Sequence, residues 1–245
     1  MRLNRFFSFL LLSLIHYSCV EPRNDTENKA FALIDMAIEA HGGMSSYLNL
    51  HKLHYQKTSI TINKENQAVD SLVQHLKHPT VHETEVQFIA SDRRLKARYN
   101  GTELSAEIDG LTQYDKAVLS SLRNTIDAAN FVFFQPFKLR DTSAQLRYLG
   151  NRTLALTEKN LAVEALLVNY PNSKDQWYFF FDSKTKQVVA NAVLHEGKMS
   201  LIVNDSLQWH KNMLVHHYRT SYLSNTNFEL IRPQARYLYT MLVFE

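Results

Sequence analysis

The chain has 245 residues, 27 basic and 24 acidic side chains and a 45% hydrophobic content, enough for one ordinary core. Two of the bases, Arg2 and Arg5, precede an apolar run; without residues 1–18 the balance is 25 against 24, a field too small to gather nucleic acid, so no nucleic-acid partner is expected. The single cysteine, at position 19, excludes a disulfide framework and leaves everything beyond it without a thiol for metal binding or nucleophilic attack.

The apolar run Phe6–Ile15 is shorter than the about 20 residues that span a bilayer. With bases before it and polar residues after it, residues 1–18 read as an export signal. No A-x-A-like cleavage site lies near residues 15–25. Residues 16–19, His-Tyr-Ser-Cys, resemble instead the lipobox of exported bacterial lipoproteins in placing small Ser18 before the cysteine, and depart from it at His16 and Tyr17. That resemblance implies that Cys19 is the lipidated first residue of the mature protein, whose partner is then a membrane held through two or more acyl chains. Residues 19–29 would be a polar tether and residues 30–245 a single domain.

In that domain, Phe31, Ile34, Ile38 and His41 share one helical face and Gly42-Gly43 stops the helix, which is expected to be capped near Thr26 or Asn28. Residues 44–53 predict one more turn. From 53 to 113 the texture is that of strands, with Val86 and Phe88 on one parity of an alternating run. Asn100-Gly101 and Asp109-Gly110 are dipeptides suited to two-residue hairpins, which require antiparallel neighbours. Residues 75–83 read as a turn between two strands.

Val118, Leu122, Ile126 and Ala129 predict a second helix over 115–131, capped by Asp115, leading into residues 131–137, four phenylalanines in seven residues with Pro136 breaking any helix. Strand texture resumes from 144 to 244, with a hairpin turn at 182–187. The expected fold class is α+β, mostly β: a curved antiparallel sheet of roughly ten strands, an open half-barrel with an N-terminal helix and one or two inserted helices.

Three segments together, AIEAHGG after the tether, FFQPFKLRD in the middle and DQWYFFFDSKTKQVVANAVLHE later, resemble a family of Gram-negative outer-membrane-type lipoproteins. The last of them is also similar to the Lol proteins, the lipoprotein-sorting carriers and their outer-membrane receptor. The resemblance implies an open half-barrel closed by helices around an apolar cavity for acyl chains, in an exported protein anchored at the outer membrane.

Trp177, Phe179 and Phe181 alternate with Tyr178 and Phe180, so both faces of that strand are apolar. The first set, with Phe131, Phe133, Phe134 and Phe137, either packs as core or lines a hydrophobic ligand cavity. Among eleven histidines, His75 and His78 differ by three and His216 and His217 by one, so each pair diverges on a strand and no metal site is expected. Arg94, Lys96 and Arg98 form a positive stripe on one strand face: a solvated outer surface, or a contact for lipid phosphates. Neither a G-x-S-x-G elbow, an H-E-x-x-H helix nor a phosphate loop occurs, so no cofactor and no catalytic set is expected; His195, Glu196 and Asp205 are the local polar residues nearest to one. The expected function is non-enzymatic binding of a lipid or other hydrophobic ligand, the alternative a protein-interaction module without a cavity.

Overall fold

The computed structural model describes residues 24–245 apart from 91, 141–142, 157–158 and 172; residues 1–18, read as an export signal, and Cys19 lie outside the described residues. Helix α1 (Asp25–Ala40) starts at Asn24, whose side chain accepts a hydrogen bond from the Glu27 amide at 2.9 Å. The cap therefore falls earlier than Thr26 or Asn28, because Asn24 is the residue whose backbone is extended and free to turn its oxygen onto the first turn. The helix consequently takes in part of the segment expected to be tether. Helix α2 (Gly43–Leu48) follows at once.

Thirteen strands make one open antiparallel sheet. Six precede the next helix: β1 (His51–Ile62), β2 (Ala68–Thr80), β3 (Thr84–Ala90), β4 (Arg93–Tyr99), β5 (Leu104–Ile108) and β6 (Leu111–Thr112). Helix α3 (Lys116–Phe133) and a 3-10 turn (Phe137–Arg140) come next. Seven strands complete the chain: β7 (Gln145–Ala155), β8 (Asn160–Asn169), β9 (Gln176–Asp182), β10 (Val188–His195), β11 (Lys198–His210), β12 (Met213–Ser224) and β13 (Leu230–Val243). The spatial order β6-β5-β4-β3-β2-β1-β13-β12-β11-β10-β9-β8-β7 describes two meanders, one running outward from the centre and one returning to it, joined where β1 pairs with β13. This is the expected half-barrel class, with more strands than the sequence texture resolved.

Two local readings change. Strand β2 continues through His75, His78 and Pro79 to Thr80, so the residues read as a turn are mostly strand, and only 81–83 turn. Asp109 and Gly110 do take the positive φ values, 53° and 81°, of a two-residue hairpin. Asn100-Gly101 does not form one; it belongs to a longer loop between Tyr99 and Leu104, which the Asn100 side chain organises by accepting hydrogen bonds from the Thr102 and Glu103 amides at 3.0 and 2.8 Å.

Each face of the sheet buries a core. The face under the helices collects Tyr55, Leu76, Val86, Phe133, Phe134, Phe179, Phe181, Val215 and Tyr239 with Leu33, Ile34 and Ala37 of α1. The opposite face collects Val163, Ala165, Phe180, Ala192 and Leu201, sealed by Phe228 from the β12–β13 loop. Phe228 sets its ring edge-on against Tyr178 and Phe180, both at 5.0 Å. The double-sided apolar pattern of β9 thus has the reason expected of it, burial on both faces.

Candidate hydrophobic-ligand site

The helical layer is placed over the sheet by its ends. At the start of α3, Asp115 accepts hydrogen bonds from the Ala117 and Val118 amides at 2.8 and 3.0 Å. Its apolar stripe, Leu122, Ile126 and Phe133, faces the sheet. Pro136 has no N–H to extend the helix, and the chain tightens into the 3-10 turn, whose Leu139 amide donates to the Pro136 carbonyl at 2.9 Å. Arg140 leaves that turn to grip Asp35 of α1 through two bonds of 2.8 and 2.6 Å, with its guanidinium 5.0 Å from the Phe31 ring centroid.

All seven aromatic residues singled out from the sequence lie in this layer, in two adjoining patches. Phe133 stacks on Tyr55 of β1 at 4.1 Å, Phe134 stands edge-on to Tyr47 at 5.3 Å, and Phe137 stacks on Tyr47 at 4.8 Å. Phe131 reaches the other patch, edge-on to Trp177 at 5.8 Å and to Phe179 at 6.1 Å, with Phe181 fully buried beside them. The rings fill the space against one another as a packed interior.

Residues that the sequence reading did not assign complete the layer. His78, on the inner face of β2, stacks on Tyr55 at 5.8 Å and stands edge-on to Phe134 at 5.1 Å; Tyr239 of β13 meets Phe133 at 5.8 Å. Their parity on long strands was the available signal: Leu53, Tyr55 and, across the ladder, Leu76 and His78 recur at a spacing of two. Burial holds this layer uncharged at neutral pH. Desolvation lowers His41 to about 4 and His78 to about 3, takes His216 well below the usual histidine range, and raises the Tyr55 hydroxyl well above its ordinary value. The Tyr55 hydroxyl and both amide atoms of Gln135 are buried without a hydrogen-bond partner among the described residues.

One permanent charge sits on the same face of the sheet. Arg219 of β12 is only 2% exposed, and its guanidinium donates to the Asn204 Oδ1 at 2.8 Å and the Asn191 Oδ1 at 2.5 Å, a row across β12, β11 and β10. Neutral amides accept from its Nε and Nη2 without supplying an opposite charge.

The other candidates separate. His75 turns to the outer face, where its ring lies 5.9 Å from that of His54, while His78 points inward, so the divergence read from their spacing holds. Among the described residues no three His, Cys, Asp or Glu side chains converge. Arg94, Lys96 and Arg98 do share the exposed face of β4, interleaved with acids: Arg98 pairs with Glu85 at 2.7 Å and Lys96 lies opposite Glu107. His195 and Glu196 are exposed at the β10–β11 turn, with His195 bonded to Asp175 at 2.7 Å, whereas Asp205 lies well along β11, bonded to Thr220 at 2.6 Å. The three do not form a set.

No protein-family model and no curated protein sequence matches the chain. Solved structures do. A LolA superfamily protein from Nitrosomonas europaea superposes with a TM-score of 0.54 at 8% identity, covering 88% of this chain and 92% of that one. A DUF1329 family protein from Desulfovibrio piger gives 0.53 at 7% identity, and a domain from Vibrio parahaemolyticus described as an outer membrane lipoprotein-sorting protein gives 0.51 at 10%, each with the same two coverages. At these identities the likeness is one of architecture: the chain has the Lol-type fold, an open antiparallel half-barrel with helices over its inner face.

Proposed function

We propose that this is an exported, membrane-anchored lipoprotein without enzymatic activity that binds a lipid or other hydrophobic ligand between its helical layer and the inner face of the sheet, with Cys19 carrying the anchor. One observation supports the reading above the rest: an uncharged aromatic interior, built by Phe131, Phe133, Phe134 and Phe137 against Trp177, Phe179, Tyr55 and Tyr239, lies where the Lol-type fold brings helices and sheet together. The resident rings fill that space, so a ligand enters by displacing α3 and the 3-10 turn. The buried, unpartnered Gln135 amide and Tyr55 hydroxyl make this the less costly layer to open, since unsatisfied polar groups lower the stability of the closed form.

The test is mass spectrometry of the full-length protein purified from membranes of a Gram-negative host. A co-purifying lipid lost in Phe131→Asp, together with an acylated N-terminal peptide lost in Cys19→Ser, is the expected result. A wild-type protein free of lipid, or a Cys19→Ser protein that stays in the membrane, would refute the corresponding half.

The second reading, a protein-interaction module, draws on the packed interior and on Val73 and Ile89, which are 40% and 59% exposed on the paired strands β2 and β3. Val73→Asp and Ile89→Asp would abolish partner capture on that reading and leave lipid content unchanged.

A further inference from the structure

The molecule carries a concavity on the face of the sheet away from the helices. It has a volume of about 660 Å³ and lies between the end of the β7–β8 hairpin and the outer faces of β10–β13. That volume is in the range of small-molecule sites, roughly 300–1,000 Å³. Leu161, Val189 and Val203 form apolar walls continuous with the outer core, and Tyr218 and Tyr222 add two aromatic faces.

Its polar groups are arranged asymmetrically. Asp205 is the only acid among the described lining residues, and its carboxylate already accepts the Thr220 hydroxyl at 2.6 Å. Arg236 and Lys159 also line the site; among the described residues neither side chain is in a salt bridge or a side-chain hydrogen bond, and Arg236 lies within the field of Asp205. The described lining therefore carries two cations to one acid beside apolar and aromatic walls. The sheet is also irregular here. Pairing shifts register between Asn204 and Ser206 of β11 and between Ser221 and Tyr222 of β12, at Asp205 and Tyr222, which line the concavity. Bulges of this kind re-aim side chains and cluster beside binding sites.

We propose that this outer concavity is a binding site for an amphipathic anion, a carboxylate or phosphate head joined to an apolar or aromatic body, with Arg236 and Lys159 receiving the head and Tyr222, Leu161 and Val203 the body. It lies on the face opposite the aromatic layer and does not depend on the function proposed for that layer.

Phenyl phosphate is the probe, titrated by calorimetry into the full-length protein held in phosphatidylcholine nanodiscs, with inorganic phosphate and benzyl alcohol as the head and the body alone. Phenyl phosphate is expected to bind at least about tenfold tighter than either fragment. Arg236→Gln, an exposed position, weakens it about tenfold or more, the loss of one charge-assisted contact. Tyr222→Ala weakens it too, Asp205→Asn strengthens it by removing a repulsive charge, and Phe131→Ala on the other face leaves it unchanged. Equal binding of inorganic phosphate, or indifference to Arg236→Gln and Asp205→Asn together, overturns the assignment. Replacing the discs by ones containing phosphatidylglycerol identifies the source: loss of phenyl phosphate binding assigns the site to a lipid headgroup, and retention assigns it to a free amphipathic anion.

Discussion

At the scale of single residues, the inner face is shaped by polar groups that burial keeps neutral. An unfolded histidine takes up its proton near pH 6.5, whereas His41 and His78 in the fold do so only at about 4 and about 3. Between those values the unfolded chain binds more protons than the folded one, so stability is intact above pH 6.5 and is lost as the pH falls. Each histidine is expected to cost about 2 kcal/mol at pH 5 relative to pH 8. Urea unfolding at the two pH values checks this, and His78→Gln should flatten the dependence by about half of the two-histidine effect. Arg219 poses the opposite problem, a charge that cannot be neutralised. Arg219→Ala strands the buried Asn191 amide and leaves a void, at a cost of about 2–4 kcal/mol. Arg219→Met fills most of the volume and should recover part of that loss in the same unfolding measurement.

At the scale of elements, the structure depends on a few close approaches and caps. Gly42, with φ of 108°, lies between α1 and α2, and a Cβ there would stand 1.8 Å from the Asn212 carbonyl oxygen in the β11–β12 turn. Gly42→Ala must push that turn away from the helices and is expected to cost at least about 3 kcal/mol, with a visible loss of α2 packing. Gly197→Ala meets no atom within 4 Å and carries only the positive-φ penalty of about 1 kcal/mol. Comparing the two thermal midpoints separates contact from backbone strain. The cap of α3 is a gentler case: Asp115→Ala should lose about 1 kcal/mol and Asp115→Asn much less, because the side-chain oxygen that accepts the Ala117 and Val118 amides is retained.

At the scale of the whole molecule, the β1–β13 pair is what makes one sheet of two meanders. Eight residue pairs from His54–Val243 to Thr61–Ala235 join them, and both strands are flanked by long partners, β2 and β12. One outer end is weaker: β6 has only two residues and pairs with β5 alone. Native-state hydrogen exchange should therefore be slowest in β1, β12 and β13 and fastest at β5–β6. Deleting residues 230–245 should abolish cooperative unfolding of both halves together, whereas deleting β6 would not.

The amino-acid sequence by itself determined the parts of this protein whose causes are local. Alternation assigned Val86 and Phe88 to one face and divided Trp177, Phe179 and Phe181 from Tyr178 and Phe180; Asp115 marked a helix start, and Asp109-Gly110 a tight turn. Local patterns also located six of the aromatic side chains of the interior and a seventh, Phe137, just past the helix-breaking proline. Only the tertiary structure decided what depends on contacts distant in sequence. A period of two separates the faces of a strand without saying what covers each, so the stacking of Tyr55, His78 and Tyr239 on Phe133 and Phe134 awaited the placement of α3. The pairing of β1 with β13 likewise has no local signature, because it is selected by the burial that both meanders gain when they close on each other. The outer concavity arises where the β7–β8 hairpin meets bulged strands far along the chain, and register shifts there place Arg236, Lys159 and Asp205 around one space that no stretch of sequence contains.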